Sequence, residues 1–387
     1  MLELNKSIII STHVYSWGPA QDLRDYLVKN KIKKVIFIGH PLFFDPKLQG
    51  SGYELYGDGK KIQQYYGKIK KSPLLISLLH DLFFTIFWTL RFGKKWDVFF
   101  GSDNLNAMAG VILKKCGFVK TVIYYVIDYN PQRFENKILN YAYHWIDRFC
   151  VKYSDETWNV SPRMSMARKK YFNFTAPNQK TVPIGMWFKR IKRLNFSDIE
   201  KQTLVYLGHV IKKQGIQHII GAIPLIVKKI PNFKFVIIGD GDYLYTLKKQ
   251  TEKLRVTKYV LFLGYIKDNT EVENLLAKCV LAVAPYEREI EGLISYTYFA
   301  DPGKIKLYLA AGLPVIMTDV PYNAKDLVKN QCAKIVELNN KDITKVILDL
   351  MTNDKRLNEY RINAVKYASK FDWDLIFETN LKRVFDI

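Results

Sequence analysis

Cysteine is scarce in this chain. Its four copies among 387 residues, Cys116, Cys150, Cys279 and Cys332, are far apart and form no Cys-x-x-Cys pair. That excludes a disulfide framework, argues against a zinc site and fits a reducing compartment. No repeat of about 20–50 residues is visible, which removes solenoids and propellers. No secretory signal is expected, because Met1–Lys6 leads straight into the apolar run Ser7–Thr12 without the ordered basic, apolar and small-residue regions. Acidic residues are also in deficit: 37 Asp and Glu face 59 Lys and Arg, a formal charge of +22. A surface that basic favours polyanions such as phosphorylated small molecules or anionic lipid. Nucleic acid is not expected, since no helix-turn-helix, zinc finger or RNP-like motif appears. The 48% hydrophobic content is that of a folded globular protein.

Short apolar runs alternate with helix-length segments along the whole chain. Strands are expected at Ser7–Ser11, Lys34–Ile38, Val98–Gly101, Val122–Ile127 and Glu156–Val160, and again from Leu204–Leu207 to Ala333–Val336. This alternation predicts parallel sheets covered by helices on both faces. The segment Gly185–Asp198 separates two such halves. The expected organisation is one such domain over 1–185, a second over 186–370, and a helix over 371–387 that packs back on the first. Ligands of open α/β sheets bind beyond the carboxyl ends of the strands, so those junctions are where chemistry is expected.

In the second half, Asp301–Val315 reads as a capped helix, with Asp301 at its N-cap, Pro302 at its first position and Gly312 closing it. Lys304 in its first turn opposes the helix dipole unless an anion sits there, a hint of phosphate. Val205–Gly215 places Gly208, His209 and Lys213 in a strand-to-helix loop, and Ile237–Asp242 brings Gly241 to another. In order and spacing over about 203–320 these segments, with Leu263-Gly264-Tyr265 and Ala310–Val315, resemble the nucleotide-sugar-binding domain of GT-B glycosyltransferases, particularly glycosyltransferase family 4. Phe371-Asp372-Trp373 looks like that family's closing element. The resemblance implies an α/β GT-B fold, two doubly wound Rossmann-like domains facing a cleft. It implies a UDP- or GDP-sugar as co-substrate bound by 186–370, an acceptor bound by 1–185 and no other cofactor; no Asp-x-Asp motif stands out at a strand end, so no essential metal is expected. The donor contacts would be Gly208, His209, Lys213, Gly241, Asp301, Lys304 and Tyr308. The chain departs from the family pattern at four places. His209 stands where arginine is usual, Gln214 where lysine is usual, and Phe299 and Leu307 where paired glutamates are usual. Glu287, Glu289 or Glu291 are candidate replacements for the missing carboxylate.

In the first half, the loop after the first strand carries His13 and Trp17. Asp103 and Asn104 follow another strand, and Asp128 and Arg133 a third. Asp128 and His13 are the candidate catalytic residues, with Asp128 as a general base or as the ion-pair partner of Arg133. Trp17, Asp103, Asn104 and Arg133 are the candidate acceptor contacts, and Asp103 equally suits a helix cap. The apolar stretch Pro73–Leu90, interrupted by His80 and Asp81 and flanked by lysines, reads as either a buried helix or one lying in a membrane interface. The expected function is sugar transfer to a glycan or lipid-linked glycan, in the cytoplasm or peripherally on the inner face of an anionic membrane. A nucleotide-sugar epimerase on the same fold, or a binding protein that has lost catalysis, remain open alternatives.

Overall fold

The computed structural model describes residues 5–13, 18–41, 50–68, 73–290 and 292–386. The chain divides into two compact units, Met1–Ile184 with Trp373–Ile387, and Gly185–Asp372.

The first unit runs β1 (Ser7–Thr12), α1 (Pro19–Lys29), β2 (Lys34–Gly39), β3 (Gly52–Gly57), β4 (Lys60–Tyr66), α2 (Leu74–Phe92), β5 (Trp96–Gly101), α3 (Asn104–Lys115), β6 (Val119–Val126), α4 (Lys137–Tyr153), β7 (Glu156–Asn159), α5 (Pro162–Phe172) and β8 (Gln179–Thr181). The sheet order is β4-β3-β2-β1-β5-β6-β7-β8. Chain order reverses direction across the sheet between β1 and β5, so the loops after these two strands flank the switch point where ligands bind. Ile8, Ile9 and Ile10 of β1 are fully buried, as a strand covered on both faces requires. One edge differs from the all-parallel expectation: β3 and β4 form an antiparallel hairpin on β2. Its turn is Asp58-Gly59, both at positive φ, the pair a tight hairpin with matching twist demands.

The second unit runs β9 (Thr203–Leu207), α6 (Ile216–Ile226), β10 (Lys234–Ile238), α7 (Leu244–Lys253), β11 (Val260–Gly264), α8 (Asn269–Lys278), β12 (Leu281–Ala284), a small hairpin β13 (Glu289–Ile290) and β14 (Leu293–Ile294), α9 (Tyr296–Phe299), α10 (Gly303–Ala310), β15 (Val315–Met317), α11 (Ala324–Lys329), β16 (Ala333–Ile335), α12 (Asn340–Met351) and α13 (Asp354–Ala368). Its main sheet is wholly parallel, β11-β10-β9-β12-β15-β16, with its switch point between β9 and β12. Apolar clusters fill both faces of this sheet.

The last helix, α14 (Trp373–Phe385), belongs to the first unit. Arg383 forks onto Glu156, Nε to Oε1 at 2.7 Å and Nη2 to Oε2 at 2.8 Å, a bidentate geometry.

Candidate active site

Backbone contact assembles the strand ends of the second unit. Gly239, at φ +139°, lies so close to Gly208 that an added Cβ would fall 1.9 Å from the Gly208 carbonyl oxygen. At Gly215 a Cβ would fall 1.7 Å from the carbonyl oxygen of Pro285, which pins the 209–215 loop to the end of β12. Gly241 packs equally tightly against Val210.

Lys304 sits over this floor. Its Nζ lies 3.5 Å from where a Gly208 side chain would begin. It stands 4.3 Å above the ring of Tyr206 and 4.8 Å from that of Tyr286. It donates a 2.7 Å hydrogen bond to Oε1 of Gln214, which also accepts from the Tyr206 hydroxyl at 3.1 Å. It has no carboxylate partner among the described residues. Burial therefore pushes its ammonium down to about 7. An aromatic-lined cation lacking a counter-ion, in the first turn of α10, is a site in want of an anion.

Other predicted residues take different places. Asp301 is not the N-cap of α10. Pro302 occupies that position, and Asp301 is buried in an ion pair with Lys306. A buried lysine without its carboxylate would cost more than a missing side-chain cap, which explains the exchange. Tyr308 is fully buried, and its hydroxyl accepts from the backbone N–H of Leu207 at 2.6 Å, so it ties α10 to β9 and does not face a ligand. Lys213 lies 3.9 Å over the ring of Tyr296, and His209 is exposed on the loop. Leu307 packs on the apolar core. Glu287 receives Nε2 of Gln217 at 2.6 Å and faces Nε2 of His218 at 3.1 Å. Glu289 is exposed, and Glu291 lies outside the described residues. Asp240-Gly241-Asp242 is an Asp-x-Asp after β10 that the motif reading passed over. Asp240 uses Oδ1 to accept from the Gly241 N–H at 2.8 Å, a turn contact. No cluster of three His, Cys, Asp or Glu side chains able to hold a metal occurs among the described residues.

In the first unit the ends of β1 and β5 meet. His13 directs Nδ1 at Oδ2 of Asp103 (2.8 Å) and Nε2 at Oδ2 of Asp81 on α2 (3.3 Å). Asp81 also accepts from Ser51 (2.8 Å) and faces His40 (3.4 Å). Burial alone would lower the His13 pKa, but the two carboxylates raise it to about 10. Burial lowers that of His40. A histidinium held this way donates hydrogen bonds and cannot accept a proton near neutrality, which argues against His13 as a base. Its stabilising contribution is complete below its ordinary 6.5 and is lost as pH rises through about 10. Asp103 caps α3, accepting from the Asn106 N–H at 2.9 Å, and is held down to about 2: burial opposes this, but His13 and the Asn106 contacts outweigh it. Asn104 is buried beneath α4, donating to the Tyr143 carbonyl at 3.1 Å, so it supports the loop and is not presented to an acceptor. Asp128 is ion-paired with Arg133 at the surface. Trp17 lies outside the described residues. Sequence reading noted Gln214 only as a departure from the family's lysine, and missed Tyr206 and Tyr286 in the second unit and Asp81 and His40 in the first. The His80-Asp81 pair inside an apolar helix was the available signal.

With this geometry established, comparison with known proteins is informative. The family described as Glycosyl transferases group 1 matches residues 188–369. The Anabaena protein Alr3699/HepE in complex with UDP and glucose superposes with a TM-score of 0.70, covering 99% of this chain and 100% of that one at 15% identity. The chain has the GT-B fold, and its match to the group 1 glycosyl transferases lies within residues 188–369. The chain is 27% identical over 201 residues to alpha-monoglucosyldiacylglycerol synthase of Streptococcus pneumoniae, covering 49% of this chain and 43% of that protein. It is 24% identical over 299 residues to an Escherichia coli UDP-Gal:alpha-D-GlcNAc-diphosphoundecaprenol alpha-1,3-galactosyltransferase, covering 73% of each. The chain spans about half the length of the first curated relatives it matches, 47% and 43%.

Proposed function

We propose that the chain transfers a glycosyl group from a nucleoside diphosphate sugar to a hydroxyl of a glycan or lipid-linked glycan. One observation carries this reading: the unpaired, aromatic-caged Lys304 in the first turn of α10, beside Gly208 at the sheet's switch point. As the sugar–phosphate bond breaks, negative charge grows on the departing diphosphate. Lys304 leaves Gln214 to meet that charge, and the first amides of α10 add their dipoles. Charge neutralisation by these groups makes the transfer metal-independent. In the first unit, the neutral-pH-stable His13–Asp103 pair offers hydrogen bonds to an acceptor hydroxyl.

Two relatives favour particular substrates. The Anabaena protein holds UDP and glucose, and the Escherichia coli enzyme is named for a UDP-sugar donor and a diphosphoundecaprenol acceptor. On that basis the donor is UDP-linked in preference to GDP-linked, and the acceptor is carried on lipid. The protein then acts from the cytoplasm, peripherally on the inner membrane face.

The test is thermal stabilisation by a panel of UDP- and GDP-sugars, followed by diphosphate release with and without acceptor. A shift that Lys304→Ala removes, with release only when acceptor is present, supports transfer. Binding without release in any mixture would instead favour a donor-binding protein that has lost catalysis, the reading motivated by Leu307. Donor conversion without acceptor would favour an epimerase.

A further inference from the structure

Helix α2 is apolar and long enough to cross a bilayer, yet its inner side is committed to the protein. Asp81, Thr85, Trp88 and Thr89 are buried, with Asp81 on the histidine cluster and Thr85 within 2.7 Å of His40 Nε2. Its outer side is a stripe at helical spacing, Leu75, Leu79, Phe83, Phe87 and Leu90, from 39% to 69% exposed. Helix α3 packs between α2 and α4. Helix α4 repeats the pattern. Its His144, Asp147, Cys150 and Val151 face inward, while Ile138, Tyr141 and Trp145 are 78%, 66% and 53% exposed. Trp145 stacks on Phe149, and Lys115 of α3 caps the Tyr153 ring at 4.0 Å.

Charge decides what covers this face. The three helices contain two acidic residues, and both are withdrawn: Asp81 to the histidines, Asp147 to the buried Arg168, whose Nε lies 2.7 Å from its Oδ2. Their basic residues are Arg91, Lys114, Lys115, Lys137, Arg148 and Lys152. Lys114 is ion-paired with Asp155 just past α4 and Glu135 lies just before it, but the cations outnumber these acids, and an apolar face with a net positive border repels a second copy of itself and attracts an anionic sheet of headgroups over hydrocarbon. We propose that the outward faces of α2 and α4, bridged by α3, dock onto an anionic lipid leaflet, with Phe83 and Trp145 entering the acyl boundary and the lysines reaching the headgroups. This deepens the membrane element of the proposed function and is independent of the donor reading.

The test is co-sedimentation of the full chain with phosphatidylcholine vesicles, with and without phosphatidylglycerol. The wild type should pellet with the anionic vesicles, remain in solution with the neutral ones, and be released by salt. The double variant Phe83→Glu/Trp145→Glu should lose about a hundredfold in partitioning. Tyr245→Glu, an equally exposed aromatic of the second unit, should leave partitioning unchanged. Both positions are solvent-facing, and an unaltered melting temperature and UDP-induced shift in the double variant separate this result from any failure of folding or of the donor site. Equal pelleting of double variant and wild type would overturn the proposal, as would wild type left in solution with both vesicles. So would a dimer on size exclusion that the double variant splits, with no vesicle binding.

Discussion

At the ends of β1 and β5 in the first unit, His13 lies between Asp81 and Asp103; at the end of β9 in the second, Lys304 meets an amide oxygen and two aromatic rings but no carboxylate among the described residues. Both are cations at a sheet's switch point. The first already has its counter-ions, two carboxylates to one imidazolium, so a ligand there meets a hydrogen-bonding surface with no unmatched positive charge. The second lacks one, so a ligand that brings a negative charge relieves a cost the fold carries when empty. The contrast is the physical basis for proposing diphosphate at one unit and a hydroxyl-rich acceptor at the other.

The sharpest way to break this contrast is to remove the unmatched cation. Lys304→Ala should lower kcat/KM about a hundredfold to a thousandfold, as loss of a group that meets developing charge does. An effect under about tenfold would mean the diphosphate is held elsewhere. Stripping the matched cation of a partner acts on the fold instead. Asp81→Ala leaves His13 and His40 without their shared carboxylate and should cost about 3 kcal/mol in urea unfolding. A cost below about 1 kcal/mol would mean the cluster is not compensated. pH sharpens the comparison further. Donor binding requires charged Lys304, so UDP affinity should weaken as pH rises above about 7, by up to about tenfold per pH unit. Calorimetry in buffers of different ionisation heat should register proton uptake on binding in that range. His13, raised to about 10, should show no NMR titration between pH 6 and 8. The smallest effect is expected at the exposed pair: Asp128→Asn should change stability by less than about 1 kcal/mol. A large loss of turnover in that variant would restore Asp128 as the acceptor's base.

The strands that carry the site were legible because they are buried on both faces and read as unbroken apolar runs, as in Ser7–Thr12 and Leu204–Leu207. The hairpin Gly52–Tyr66 was not, although Asp58-Gly59 marks its turn. Its outer strand, Lys60–Tyr66, is an exposed edge with little apolar pattern. Lys304 and Gly208 could be singled out because they form a local pattern, glycine after a strand and a lysine in a first turn, which the structure brings side by side. Gln214 stood out only as a departure from a usual lysine, and Tyr206 and Tyr286 left no signal: only the fold brings the three around one ammonium group. Asp301 misled for the converse reason. Its local context fits a cap, and its partner Lys306 needed a charge that only burial makes compulsory. His13 stands out in the sequence, but its protonation depends on Asp81, a residue some 70 positions away that reads locally as a flaw in an apolar helix.

A crystal structure of the chain with UDP tests the central claim directly. The account predicts the distal phosphate over the first turn of α10, with Lys304 Nζ drawn off Gln214 to within about 3 Å of a phosphate oxygen. UDP bound away from α10, with Lys304 still on Gln214, would contradict it.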